Sequence, residues 1–128
     1  IKEFKKIADK YVANNIIPIR YTTRIFDWVK SCDVVVTKPG GLSSTEFAVA
    51  NVPIVHLRAK WGCEEKNAKF FAGRGLSRYA VNNADAVRQA LSLASHTDGV
   101  DYILENQKKH INPQAAKDIL KEVELIVK

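Results

Sequence analysis

The stretch Lys38-Pro39-Gly40-Gly41-Leu42-Ser43-Ser44-Thr45-Glu46 follows directly on the apolar run Val34-Val35-Val36. In order, it describes a buried strand that stops, a turn bare of side chains, and a helix start crowded with hydroxyls. The first backbone N–H groups of a helix have no acceptor inside it, and the aligned peptide dipoles add roughly half a positive charge there. Glycine at that point lets a ligand oxygen come close to those amides. Lys38 can add a full positive charge, and Ser43, Ser44 and Thr45 can donate from their hydroxyls. The chemistry this suits is anion binding, and a diphosphate could be neutralised without a metal ion. No acidic cluster suited to magnesium stands in the sequence. The spacing is neither that of a Walker loop nor that of the dinucleotide fingerprint.

Simpler readings of the same residues exist. Gly40-Gly41 can serve only as a tight strand-to-helix turn. Ser43 and Glu46, three apart, can form a capping box that satisfies the helix end internally. His56, within a strand and with no Ser, Cys or carboxylate partner nearby in sequence, reads as a satisfied core residue rather than a catalytic one. Asp27 and Asp33 read as solvent charges. A second constellation follows the next strand: Trp61-Gly62 suggests a loop, and Glu64, Glu65 and Asn67 cluster at the start of a helix. The simpler reading of the two glutamates is surface charge in a helix's first turn.

Several elements must position these groups. The residues of 1–12 repeat apolar side chains at spacings of three and four, predicting a helix. Asn14 and Asn15 suggest a turn, and Ile16–Tyr21 a short strand made irregular by Pro18. Residues 24–30 fit two helical turns with Ile25, Trp28 and Val29 inward. The continuous run in 33–37 predicts a strand covered on both faces, as in a parallel sheet. Alternation then continues: helix 42–50, strand 53–57, helix 64–72, strand 78–81 and helix 84–94. This predicts a mostly parallel sheet of about four strands. Residues 98–110 and 113–127 read as helices without a strand between them. Asn112 is expected to cap the second, with Pro113 at its first position and Ala116, Ile119, Leu120, Val123, Ile126 and Val127 as its inward stripe. In such a sheet the loops after successive strands emerge on one edge, so both constellations should face one crevice.

The 128 residues, 46% of them apolar, suit one domain with one core. A doubly wound sheet ordinarily opens on a strand and has five or six, which suggests the back part of a larger domain. No apolar stretch approaches the ~20 residues of a membrane span, and residues 1–11 lack the apolar centre of a signal peptide, which points to a cytoplasmic protein. The two cysteines, Cys32 and Cys63, lie far apart and without metal-ligand spacing, and read as reduced thiols. The net charge of +6 is compatible with phosphate ligands or an anionic membrane surface. The bases are scattered, with no Arg-rich run or aromatic interleaving, which argues against nucleic acid.

The segment Asp33–Val55, followed by Gly62–Leu76, resembles the C-terminal domain of family 28 glycosyltransferases of the GT-B fold. That family includes the diacylglycerol glucosyl- and galactosyltransferases and the undecaprenyl-pyrophosphoryl-muramoylpentapeptide N-acetylglucosaminyltransferase. The match runs from about Asn15 to Asn83 and rests on the order Lys-Pro-Gly-Gly, Glu, and Glu-Glu-x-Asn-Ala. It implies a Rossmann-like partial domain over 1–128 that holds a UDP-sugar as donor substrate, with no cofactor and no metal. Gly40, Gly41, Leu42 and Ser43, with Lys38, would bind the diphosphate, and Glu46 the ribose hydroxyls. Tyr21 and Thr22 would meet uracil, largely through backbone groups, while Cys63, Glu64, Glu65 and Asn67 would face the donor sugar. Relatives commonly carry Pro-Gly-Gln-Glu where this chain has Trp-Gly-Cys-Glu, so Cys63 stands in place of an amide.

The general base in that family comes from an N-terminal acceptor domain, so no catalytic residue is assigned within 1–128, and these residues alone are expected not to catalyse transfer. The implied activity is inverting transfer of a hexosyl group from a UDP-sugar to an acceptor, a lipid at the inner membrane face being one. The rivals are a UDP-sugar epimerase of the same fold and a noncatalytic nucleotide-binding subunit that completes its site with a partner chain.

Overall fold

Three short parallel strands form the sheet of the computed structural model, which describes residues 16–59, 62–96 and 99–127 together with Glu3 and Lys6. They are β1 (Val35–Thr37), β2 (Ile54–His56) and β3 (Arg78–Tyr79), in the order β1-β2-β3. Val35 pairs with Ile54, Thr37 with His56, and His56 with Tyr79. The described helices are α1 (Ile25–Lys30), α2 (Gly41–Val49), α3 (Gly62–Gly73), α4 (Asn83–Ala94), α5 (Val100–His110) and α6 (Ala115–Ile126). The fold is thus α/β with a parallel sheet, flanking helices and a helical C-terminus.

The apolar run in β2 is continuous because the strand is covered on both faces. Ile54 and Val55 are both fully buried, and they point into different cores. Ile54 packs with Val29, Phe47, Ala48, Val52, Phe71 and Leu76, which places α1, α2 and α3 over one face. Val55 packs with Ala80, Ala86, Leu93, Val100 and Ile103, which places α4 and α5 over the other. Alternation of side chains along the strand makes consecutive residues serve opposite layers. At the amino edge of the sheet, the buried amide of Gln107 donates to Val52 O at 3.0 Å and to Leu76 O at 2.9 Å. This ties the segments entering β2 and β3 together and leaves the carboxyl edge as the place where loops open.

Four expectations differ from the structure. The fourth strand, over 16–21, is not formed: residues 16–20 carry no strand pairing, and Ile16, Ile17 and Ile19 are exposed. Pro18 withholds a ladder donor there. In α1 only Val29 is buried, while Ile25 and Trp28 lie on the surface. The last helix begins two residues later than its proline suggests. Asn112 Oδ1 accepts from Gln114 N at 2.8 Å in a turn that precedes the helix, and Gln114 is the N-cap. None of the residues of α6 is buried, so its stripe of Ile119, Leu120, Val123, Ile126 and Val127 faces outward among the described residues. The helix expected over 1–12, apart from Glu3 and Lys6, and the turn at Asn14-Asn15 lie outside the described residues, as do Trp61 and the start of the 98–110 segment. Among the described residues no helix is long and apolar enough to cross a membrane.

Candidate functional site

At the carboxyl end of β1, Gly40 N donates to Lys38 O at 2.8 Å, so Lys38-Pro39-Gly40 closes a three-residue turn. Helix α2 starts at once, with Gly40 as its N-cap. The ladder begins with Ser44 N donating to Gly40 O at 3.0 Å. The N–H groups of Gly41, Leu42 and Ser43 therefore come before the first helical bond, and no acceptor among the described residues reaches them. The capping box expected from Ser43 and Glu46 is not formed, because the cap position falls on Gly40, which has no side chain to offer. Helix α4, which starts at the same edge of the sheet, is closed from within: Asn82 Oδ1 accepts from Asp85 N at 2.9 Å and Asp85 Oδ2 from Val81 N at 3.0 Å.

Backbone conformation does not demand glycine at this turn. Gly40 has φ −74° and ψ 138°, an extended conformation open to any residue, and a Cβ built there would meet nothing within 4 Å. At Gly41 a Cβ would rest 3.6 Å from Asn67 Nδ2, an ordinary contact. Gly62 and Gly75, with φ +74° and +68°, are glycines that the backbone does require. Neither the backbone angles nor the space around Gly40 and Gly41 requires glycine there.

The two constellations meet. Lys38 Nζ lies 2.9 Å from Glu64 Oε1, and Asn67 Nδ2 donates to Pro39 O at 3.1 Å. The loop after β1 and the first turns of α3 after β2 thus stand side by side on the carboxyl edge. Tyr79, at the end of β3, braces the second loop, its hydroxyl accepting from Ala59 N at 3.1 Å. Leu42 and Ser43 are exposed on the first turn of α2, and Glu46, also exposed, lies one turn beyond Leu42 on the same helix face. Cys63 is an exposed free thiol at the start of α3.

Other candidates are placed differently. Glu65 pairs along its own helix with Lys69 at 2.8 Å, and that hydrogen bond from the ammonium holds its carboxyl below the usual range. Tyr21 is exposed, and the hydroxyl of Thr22 accepts from Arg24 N at 3.0 Å at the start of α1. Among the described residues neither Tyr21 nor Thr22 is hydrogen-bonded to the glycine turn. Two of the three hydroxyls expected to face a ligand are used by the protein. Thr45 Oγ1 donates to Gly41 O at 2.9 Å, and Ser44 is fully buried, with Oγ 2.9 Å from His56 Nε2.

His56 is the residue whose surroundings the sequence conceals. It is fully buried at the end of β2, edge-on to Phe71 with ring centroids 5.4 Å apart, and its Nδ1 lies 2.9 Å from Ser77 Oγ. As expected it is a satisfied core histidine, but its serines come from α2 and the segment entering β3. Burial lowers its pKa from 6.5 to about 4. The unfolded chain therefore takes up a proton as pH falls below 6.5, while the folded chain resists until about 4. The stabilisation is complete above the upper value and is lost progressively toward the lower one. Thermal melts of the wild type should drop between pH 6.5 and 4 by on the order of 3 kcal/mol, and those of His56→Gln should drop less. Parallel pH profiles would remove His56 as the source.

No protein-family model matches the chain. Among curated proteins it is similar to the processive diacylglycerol β-glucosyltransferases of Staphylococcus aureus strains Newman and COL. Each is 26% identical over 125 residues, covering 93% of this chain and 32% of the relative. This chain is a distant homologue of those glucosyltransferases. It spans about a third of their length. The homology is consistent with a C-terminal domain of the GT-B family 28 glycosyltransferases, and in this chain the glycine turn, Lys38 and the Glu64-Asn67 segment occupy one edge of the sheet.

Proposed function

We propose that these residues form the donor-binding part of an inverting glycosyltransferase that moves a hexosyl group from a UDP-sugar to an acceptor. The observation that carries the reading is the set of amides at Gly41, Leu42 and Ser43, left uncapped beside Lys38 where the backbone has no need of glycine. The diphosphate lies on those amides and on the Lys38 ammonium. Glu46 accepts from the ribose hydroxyls, Tyr21 and Thr22 meet uracil through backbone groups, and the start of α3 at Cys63, Glu64, Glu65 and Asn67 faces the sugar. The names of the similar proteins make a lipid hydroxyl the acceptor that fits best, which would bring the enzyme to a membrane surface.

In the reaction the acceptor oxygen attacks the anomeric carbon from the face opposite the departing UDP. The acceptor's proton goes to a base contributed by the acceptor-binding part of the enzyme. As the bond from the sugar to the β-phosphate oxygen breaks, negative charge grows on that phosphate, and fixed amide dipoles and Lys38 stabilise it without reorganising. Lys38 is paired with Glu64 in the structure. Arrival of the diphosphate gives Lys38 a new partner and frees Glu64 to accept from a sugar hydroxyl.

Calorimetry of the full-length protein tests the assignment. UDP should bind at least about 100-fold more tightly than uridine, the equivalent of two charge-assisted hydrogen bonds. Equal affinities would mean that the turn does not hold the diphosphate.

A further inference from the structure

We infer that His56 is a positioning residue for the proposed diphosphate site, holding the first turn of α2 in register with the end of the sheet through Ser44. The inference rests on the nucleotide reading above and concerns a residue that touches no part of the ligand.

The geometry is specific to that turn. Ser44 is the residue whose N–H makes the first ladder bond of α2, to Gly40 O, and it follows immediately on the three uncapped amides. Its side chain turns inward, fully buried, to His56 Nε2 at 2.9 Å. His56 is the last residue of β2, and its main chain is fixed between both neighbouring strands, with Leu57 N donating to Thr37 O at 2.8 Å and Ala80 N to His56 O at 2.9 Å. The imidazole is also wedged edge-on against Phe71 of α3. A strand end immobilised in this way makes a rigid post, and Ser44 is the point at which α2 is tied to it.

Without the tie, the turn keeps Asn67 on Pro39 O and Glu64 on Lys38 as side-chain anchors, and both sit before the amides rather than after them. The amides must converge on phosphate oxygens within hydrogen-bond distance, so a small slide or rotation of α2 misdirects them. The two serines also explain how a buried imidazole is satisfied. A neutral ring has one donor and one acceptor nitrogen, and a hydroxyl can complement either, so Ser44 and Ser77 serve whichever tautomer is present.

Two replacements at one position separate positioning from general support. The side-chain amide of glutamine reaches the place of Nε2, facing Ser44, whereas that of asparagine reaches only the place of Nδ1, facing Ser77. UDP affinity of the full-length protein is measured by calorimetry for wild type, His56→Gln, His56→Asn and Ser44→Ala, each confirmed folded by circular dichroism. Ser44→Ala removes one hydroxyl only and keeps the test available should the His56 variants fold poorly. The expected result is a UDP affinity about tenfold lower in His56→Asn and in Ser44→Ala, and within about threefold of wild type in His56→Gln. Wild-type affinity in Ser44→Ala, or equal losses in His56→Gln and His56→Asn, would overturn the positioning role while leaving the nucleotide reading intact. A wild-type protein that does not bind UDP would remove that reading, and this inference with it.

Discussion

Replacing Gly40 by aspartate should stabilise the protein while abolishing its affinity for UDP. Gly40 is the N-cap of α2, its φ and ψ of −74° and 138° suit an aspartate cap, and a Cβ there meets nothing within 4 Å. An aspartate oxygen at that position accepts from the second or third amide of the helix and lies at the positive end of its dipole. Glycine is already a tolerable cap, so the cap itself adds a few tenths of a kcal/mol and the dipole about 0.3–1 kcal/mol, roughly 2–5 °C in melting temperature together. The same carboxylate occupies the amides that the diphosphate needs and repels its charge. Binding should fall by at least about 100-fold. Opposite signs in the two measurements distinguish a ligand site from a structural turn. If Gly40→Asp binds UDP as wild type does, the anion lies elsewhere. If it fails to fold, the turn has a structural demand for glycine that its geometry does not display.

Glu46→Ala should weaken UDP binding by about 1.5–3 kcal/mol, the range for hydrogen bonds to a charged group. The carboxylate is exposed on α2, one turn beyond Leu42, and no described residue takes it as a partner. Its removal leaves no buried group unpaired, and alanine is at least as good a helix former as glutamate. The melting temperature should therefore stay within a degree or two of wild type. A drop in affinity with unchanged stability places the ribose at Glu46. Unchanged affinity for UDP, with affinity for inorganic pyrophosphate also unchanged, would place the ribose on another element.

The parts of this fold that announce themselves in the sequence are those set by local pattern. The unbroken apolar run before Lys38 marks a strand, though β1 is only partly covered: Val34 and Val35 pack against different cores while Val36 is exposed, and full cover on both faces falls to β2, where Ile54 and Val55 are buried in different cores. The helices over 41–49 and 62–73 and the crossover order of the sheet follow from the same alternation. What stays hidden depends on register and on neighbours. His56 finds Ser44 and Ser77 because the start of α2 and the register of β3, which pairs His56 with Tyr79, bring together residues twelve and twenty-one away in sequence. The supposed capping box fails because the cap falls at Gly40, three residues before Ser43, a matter decided by where β1 stops.

Exposure misleads in the opposite direction. Trp28 and the stripe of α6 have the spacing of inward faces, yet Trp28 is 45% and Ile126 81% exposed. Periodicity reports that a helix has an apolar side and says nothing of what lies against it. The glycine pair shows the same limit at the site itself. Its sequence suits a strained turn and a bare ligand cradle equally, and the backbone angles remove the strain.

Central to the account is the claim that the exposed amides of Gly41, Leu42 and Ser43 grip a diphosphate. The direct measurement is a titration of the isotopically labelled protein with UDP, following each backbone amide by nuclear magnetic resonance. The account predicts that the largest saturable shifts fall on Gly40 to Ser43, and that Gly40→Asp removes them. Saturation with UDP that leaves those four amides in place while others move would contradict it.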